Sequence, residues 1–364
     1  LSAHANYELA VDESQSGSCS KCHTGNGFLA WLPVLLGDEP GDPGDSVTVT
    51  WTEDEAHPQT CVTCHDPHNI GSTTGDDTDA IIRISDVTPE LAAGFTAIGV
   101  GKGAICMTCH NTRRGLKNDS TWPDFVGTTE SARAPHGGAQ TDVLMGENAF
   151  LMEVGIRGGH SWVEDSCVDC HMNATDPPTD LAYNSGGTNH TFYASPDICG
   201  DCHSFKANGP NAAFPLPAKD TVDAIQHGTE LALHDLEELL IEANLKVMDD
   251  LLAGGASLDL NGNATITDID QIDTLVFGET RGRQGIGFVL ADGTELSVMR
   301  YQDIDVIPDM GDAYGYYLAL PEAVLQAGWN WALVHNDGSY GIHNPTFTST
   351  ALNRARGAVL EFLD

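Results

Sequence analysis

The sequence predicts a first half of loops and short helices, then C-terminal helices that carry a small β insert. Three observations point there. Residues up to 204 are rich in Gly, Pro, Asp and Thr and show few long amphipathic stretches. All ten cysteines fall in that half, as five pairs of one pattern. Beyond residue 204 the chain turns to helical periodicity and β-forming runs.

The pairs are Cys19-Ser-Lys-Cys22-His23, Cys61-Val-Thr-Cys64-His65, Cys106-Met-Thr-Cys109-His110, Cys167-Val-Asp-Cys170-His171 and Cys199-Gly-Asp-Cys202-His203, with no cysteine left over. Two thiols three positions apart on a short helical turn can form thioethers to both vinyl groups of one haem. The next imidazole is then placed to bind the iron axially. Zinc sites do not need a histidine directly after every pair, and thioredoxin-like redox pairs do not recur five times. The expectation is five covalently attached haem c groups, with His23, His65, His110, His171 and His203 as proximal iron ligands. The first half then takes its core from porphyrin faces packed by short helices and loops, the fold class of a multihaem cytochrome c.

Acidic residues outnumber basic ones 53 to 16 among 364, a net charge of −37. That argues against nucleic acid or an anionic membrane surface as partner. No apolar run approaches the roughly 20 residues needed to span a bilayer, so a transmembrane segment is not expected. Covalent haem attachment takes place outside the cytoplasm. The first residue, Leu1 rather than Met, and the Asn-x-Ser/Thr sequons at Asn118, Asn173, Asn189 and Asn263 fit a secreted chain, the sequons only weakly. The expected location is extracellular or at the cell surface, or periplasmic if the chain does not polymerise.

Five of the 15 histidines follow cysteine pairs, and ten remain for the opposite haem faces. A second histidine closes the iron for electron transfer; its absence leaves an open site for chemistry. His57 stands four residues before Cys61 and His68 three after His65, and one of the two is expected to ligate. In "CVTCHDPH", His68 reads as reaching the iron of a second haem. His136, His160 and His190 lie in loop-like stretches, the latter two shortly ahead of a cysteine pair. His343 is presented by the turn-forming "GIHNP". His4, near the N-terminus, is a candidate to serve a haem in another copy of the chain. His227, His234 and His335 read as structural.

The division expected is a pentahaem domain over 1–204 and a helical region over 205–364 with a β-rich insert at about 258–312. In the first half, "GDEPGDPGDSVTVTWTEDE" (37–55) reads as an acidic loop followed by a short strand, and 79–87 as another strand. Beyond it, residues 220–253 place Leu233, Leu236, Leu240, Ala243, Val247 and Leu251 at helical spacing, with Gly254-Gly255 as a stop. Residues 286–301 read as a hairpin turning at Asp292-Gly293. Further helices are expected over 312–335 and 347–363, making a helical bundle with a β appendage. Within the insert, Asp259, Asn261, Asn263, Thr265 and Asp270 fall at positions 1, 3, 5, 7 and 12 of a calcium-loop-like pattern. Ala264 stands where the sharp turn wants Gly, so the alternatives are calcium and an acidic turn without metal.

The stretches "HPQTCVTCHDPH" (57–68), "APHGGAQTDVLMG" (134–146), "EDSCVDCHM" (164–172), "NHTFYASPDICGDCH" (189–203) and "NDGSYGIHNP" (336–345) resemble multihaem c-type cytochromes of metal-respiring and syntrophic microbes, including those that polymerise into extracellular cytochrome filaments. The resemblance implies closely spaced bis-histidine haems, with His136, His160, His190 and His343 as distal ligands. It also implies a homopolymer in which one axial ligand comes from the adjacent subunit, and exchange with redox partner proteins or extracellular acceptors. Residues 258–312 have no counterpart in it. The function expected is electron transfer rather than enzymatic turnover. The alternatives are a nitrite- or hydroxylamine-type reductase with one open haem and a non-redox structural surface fibre.

Overall fold

The structure is a computed structural model and describes residues 3–70, 80–113, 115, 132–173, 184–185, 188–203, 216–308 and 316–364. The chain begins with α1 (Tyr7–Glu13), α2 (Gly17–His23), α3 (Gly25–Leu35), α4 (Cys61–Cys64), β1 (His65–Ile70) and β2 (Ala80–Ile82). It continues with α5 (Ala104–Cys109), α6 (Gln140–Met145), α7 (Cys167–His171), β3 (Asn184–Ser185) and β4 (Thr188–Asn189). The long α8 (Ala218–Ala253) leads into β5 (Ser257–Leu260), β6 (Thr265–Ile266), β7 (Ile272–Thr280), β8 (Arg283–Leu290), β9 (Glu295–Arg300), β10 (Ile304–Ile307) and β11 (Tyr316–Tyr317). Last come α9 (Glu322–Asp337) and α10 (Pro345–Leu363). The chain forms two compact units, Leu1–Asn111 with Gly159–Asp223, and Thr112–Gly158 with Ala224–Asp364. Residues 112–158, expected with the cysteine pairs, thus pack in the second unit.

In the first unit α1–α5 and α7 run from 4 to 11 residues. Short helices need tertiary support, and here caps and close crossings supply part of it. Thr24 ends α2 and caps α3, its hydroxyl accepting from Gly27 N at 2.8 Å. A Cβ at Gly27 would collide with the Ser20 carbonyl, so glycine is what lets α3 cross α2. Lys21, 5% exposed, donates to the carbonyls of Pro43, Gly44 and Asp45 at 2.9–3.1 Å, its ammonium 4.7 Å from the Trp31 ring centroid. The strand expected after the acidic loop does not form. Val47 N donates to Gly17 O at 3.1 Å, but among the described residues no second strand offers the ladder that Val47–Thr50 would need. The strand expected over 79–87 is the three-residue β2, paired with β1.

The second unit has an apolar core shared by α8–α10 and two antiparallel sheets, of order β11-β10-β5-β6 and β7-β8-β9. On α8 the buried face follows the expected spacing through Ala243 and then moves to Met248 and Leu252, with Val247 and Leu251 half-buried. A straight helix at 3.6 residues per turn drifts off a seven-residue repeat over that length. Helix α9 is buried almost all round, with Val324, Leu325, Trp329, Leu333 and Val334 inside, as a central helix should be. It starts at Glu322 rather than 312, because Pro321 occupies the N-cap and disfavours helical backbone before it, while Tyr316–Tyr317 pairs with β10. Gly328 lets α9 close on β8: a Cβ there would meet the Gln284 side chain and stand 3.0 Å from Phe277 Cζ. The sheets are no appendage. Leu258, Phe277, Ile286 and Phe288 lie in one cluster with Leu236, Leu240 and Trp329. The hairpin expected at Asp292-Gly293 joins β8 to β9, with Gly293 at φ +87°.

Candidate haem-binding site

The spacing of each cysteine motif puts the first Cys, second Cys and His at helix positions i, i+3 and i+4, which share one face. The chain builds that turn each time. Motif one lies on α2, motif two on α4, motif three on α5 and motif four on α7, while Cys199 lies in a 3-10 turn over Pro196–Asp201. In the second, third and fifth motifs the His N–H donates to the first cysteine's carbonyl, from His65 to Cys61, His110 to Cys106 and His203 to Cys199. Local caps hold the turns. Thr60 N donates to Thr63 Oγ1 at 3.1 Å, and buried Asn111 donates to Met107 and Thr108 carbonyls at 3.0 and 2.9 Å at the end of α5.

All five motifs lie in the first unit, and their thiols are neighbours. Cys106 lies against Cys167, Cys109 against Cys22, Cys64 is close to Cys106 and Cys109, and Cys170 neighbours Cys199 and Cys202. The adjacent Cys167 and Cys22 thiols, with burial, push the Cys106 and Cys109 thiols well up; burial, then Cys199, raises Cys170 to about 11. The backbone links the motifs too. Lys102 N donates to Asp165 Oδ1 at 3.0 Å and its ammonium reaches Asp165 Oδ2 at 2.9 Å, tying motif three to motif four. Gln59 donates to the Cys22 carbonyl, and Gly25 N to His57 O at 2.8 Å, tying motif one to motif two.

Three motif histidines each stand beside a histidine from elsewhere in the unit. Ring centroids are 5.8 Å apart for His4 and His110, 6.5 Å for His65 and His190, and 5.9 Å for His160 and His203. Two imidazoles sharing one metal at bonds of about 2 Å each place their centroids roughly 6 Å apart. The residues therefore fit a haem iron bound on both faces. His160 precedes motif four in sequence but faces the histidine of motif five, and His190 precedes motif five but faces that of motif two. His4, the candidate for a haem in another copy, has its ring beside His110 of its own chain. Burial, then His110, lowers His4 to about 4, so its imidazole is neutral, the form that binds metal.

His171, the fourth motif histidine, has its Nδ1 held by Phe192 O at 3.1 Å, the kind of hydrogen bond that fixes ring orientation in a metal-ligating histidine. His57 is exposed, its backbone N donating to Asn26 Oδ1 at 2.8 Å, and His68 lies on β1. His136 and His343 belong to the second unit. His136 sets Nδ1 2.9 Å from Gly137 O, and His343 sets Nδ1 2.6 Å from buried Asp337. His227 and His234 stand on the exposed face of α8 beside Glu230 and Glu238, and His335 stacks on Trp331 at 4.8 Å.

The calcium-loop pattern falls on a hairpin. Asp259 on β5 pairs with Thr265 on β6, Asp259 Oδ1 accepts from Gly262 N at 2.6 Å, and Asn263 donates to Leu260 O at 3.1 Å. Asn261 is in the hairpin turn at φ +56°, and Asp270 sits apart in a 3-10 turn over Ile269–Gln271 capped by Asp268. Asp259 and Thr265 thus lie on paired strands, Asn261 and Asn263 in the turn between them, and Asp270 in a separate turn. Of the sequons, Asn118 lies outside the described residues. Asn189 is fully buried, with its side chain bonded to Thr191 and Tyr193.

No protein-family profile and no curated protein matches the sequence. Two solved structures are similar in fold. One is the outer cell wall cytochrome OcwA, at TM-score 0.48 and 16% identity, matched over 98% of this chain and 48% of its own length. The other is an undecahaem cytochrome from the S-layer of Carboxydothermus ferrireducens, at TM-score 0.44 and 17% identity, over 97% of this chain and 40% of its own. The chain spans less than half the length of either. Similarity at that level decides nothing about function, which rests on the motifs and their geometry. Among the described residues no helix is long and apolar enough to cross a membrane.

Proposed function

We propose that the chain is a c-type multihaem cytochrome that transfers electrons through five covalently bound haems, each iron held between two histidines. The observation that carries this reading is the pairing of a motif histidine with a non-motif histidine at roughly the separation one iron requires, three times over. Bound haem supplies a one-electron Fe(III)/Fe(II) couple. The chain's own residues hold two imidazoles on each iron, which closes it to substrate and favours carriage over catalysis. The neighbouring thiols of the five motifs support short steps from one haem to the next. His4 serves motif three, His190 motif two and His160 motif five in this reading. His57 and His68, both in the first unit, are the candidates for the sixth positions opposite His23 and His171.

The protein acts outside the cytoplasm in the same reading, where thioethers to haem are made. Assembly into a filament is its extended form, in which the −37 charge must be offset by contacts or cations between copies. With His4 facing His110 of its own chain, the subunit-bridging ligand would have to be another histidine.

The test is a pyridine-haemochrome count with electron-paramagnetic spectra of the oxidised protein. Five haems per chain, all low-spin, are expected, and His190→Ala should turn one high-spin while all five stay attached. Fewer than five haems, or a high-spin haem in the unaltered protein, overturns the reading. Negative-stain micrographs separate filaments from single particles.

A further inference from the structure

The stretch Asn189-His-Thr-Phe-Tyr193 makes a tight turn at the edge of the first unit's histidine pairs. Asn189 is fully buried, and its Oδ1 accepts from Thr191 N at 2.9 Å and Thr191 Oγ1 at 2.6 Å, while its amide reaches Tyr193 O at 3.3 Å. Its backbone N donates to Met172 O, one residue past His171. These bonds over-determine the turn, and Phe192 is held in it at φ +61°, a conformation that costs a bulky residue free energy and persists only where the surroundings impose it.

That conformation sends the two ends of Phe192 in different directions. Its carbonyl holds His171 Nδ1 at 3.1 Å. Its ring meets His4 edge to face at 4.6 Å between centroids, and His190 at 6.4 Å, with interplanar angles of 71° and 72°. One residue therefore touches the ligand sets of three motifs: the fourth through His171, the third through His4 and the second through His190.

We infer that Phe192 is a positioning residue that fixes the orientation of axial imidazoles at three haems at once, making the turn over 189–193 the point where motifs two, three and four are set relative to one another. The inference rests on the bis-histidine reading above. The angle between two axial imidazoles decides how nearly equal in energy the iron orbitals of π symmetry are, and so the anisotropy of the low-spin signal. At His4 and His110 the planes cross at 77°, and at His65 and His190 at 39°. Packing of a flat ring against His4 and His190 holds those angles, and the carbonyl bond to His171 holds a third ring in place.

The experiment compares the full-length holoprotein with Phe192→Leu, which keeps apolar bulk without a flat ring, and Phe192→Tyr, which keeps the ring. Haem count, low-temperature paramagnetic spectra and a redox titration are read for each. Phe192→Leu is expected to retain five haems, to shift the low-spin signals of at least two, and to change one or more reduction equilibria about tenfold, ~59 mV for a one-electron couple. Phe192→Tyr is expected to restore the original spectra. If Phe192→Leu does not fold, Phe192→Gly, which removes the ring and relieves the left-handed backbone, takes its place with the same expectation. Spectra and titration that superimpose on those of the unaltered protein overturn the inference. A high-spin haem in the unaltered protein instead overturns the bis-histidine reading beneath it.

Discussion

The second unit buries Trp329, Leu236, Leu240, Phe288 and Ile286 in one apolar cluster, with α8–α10, of 16 to 36 residues, around two sheets. The first has helices of at most 11 residues before α8, and beside a smaller buried apolar set that includes Phe28, Leu32, Leu91 and Ile105 it carries caps, carbonyl-bound side chains and the five cysteine pairs beside histidine pairs. A chain with ordinary apolar content can place most of its large aliphatic core in one unit if the other is completed by something that is not protein. In the second unit burial of side chains specifies the fold; in the first, on the haem reading proposed above, the spacing of ligands does.

Removing a prosthetic group should separate the two most sharply. Cys106→Ala with Cys109→Ala deletes the motif whose thiols adjoin motifs one, two and four. On the five-haem reading the count should fall to four, and limited proteolysis followed by mass spectrometry should show cleavage spreading through residues 1–111 while 224–364 stays protected. Equal protection of both units would end the comparison. Next in size is Trp329→Ala, which removes a fully buried indole whose Nε1 donates to Asn148 O at 2.6 Å. A loss of about 3–5 kcal/mol is expected in the second unit's urea transition, with the haem spectrum unchanged.

The smallest effect concerns pH. Asp142 is fully buried, and burial raises its carboxyl from the ordinary 3.8 to about 7 against opposing hydrogen bonds from Thr112 and Asn148. Between those values the folded chain keeps a proton that the unfolded chain has lost. Its contribution therefore weakens stability as pH climbs from about 4 to 7, by a few kcal/mol at most, and is level above that. Thermal melts across this window should lose the slope in Asp142→Asn; a slope that survives the substitution places the titration elsewhere.

The two units also differ in what the sequence reveals of them. The i, i+3, i+4 motifs and the face of α8 are local patterns, so the turns over Cys61–Cys64 and the helix over Ala218–Ala253 could be read directly. The pairing of His4 with His110 spans more than a hundred residues and leaves no local trace. His160 and His190 are legible as ligand candidates from their place ahead of cysteine pairs, but not the motifs they face, because a loop reveals its neighbours in space only once it has folded. Val47–Thr50 has the composition of a strand and pairs with no strand among the described residues, and Tyr316–Tyr317 becomes one because β10 offers an edge. Phe192 carried no signal, since nothing in "NHTFY" announces positive φ at a phenylalanine.

Lys21 sits inside the first motif, between its two cysteines, with its ammonium caged by three carbonyls of the acidic loop and the face of Trp31. An amine so enclosed is shielded from acylating reagents that modify exposed lysines such as Lys219. Its reactivity is then a clock for the loop: each opening of the turn at Pro43–Asp45 exposes one nucleophile, and the labelling rate at Lys21 counts those openings beside the first haem motif.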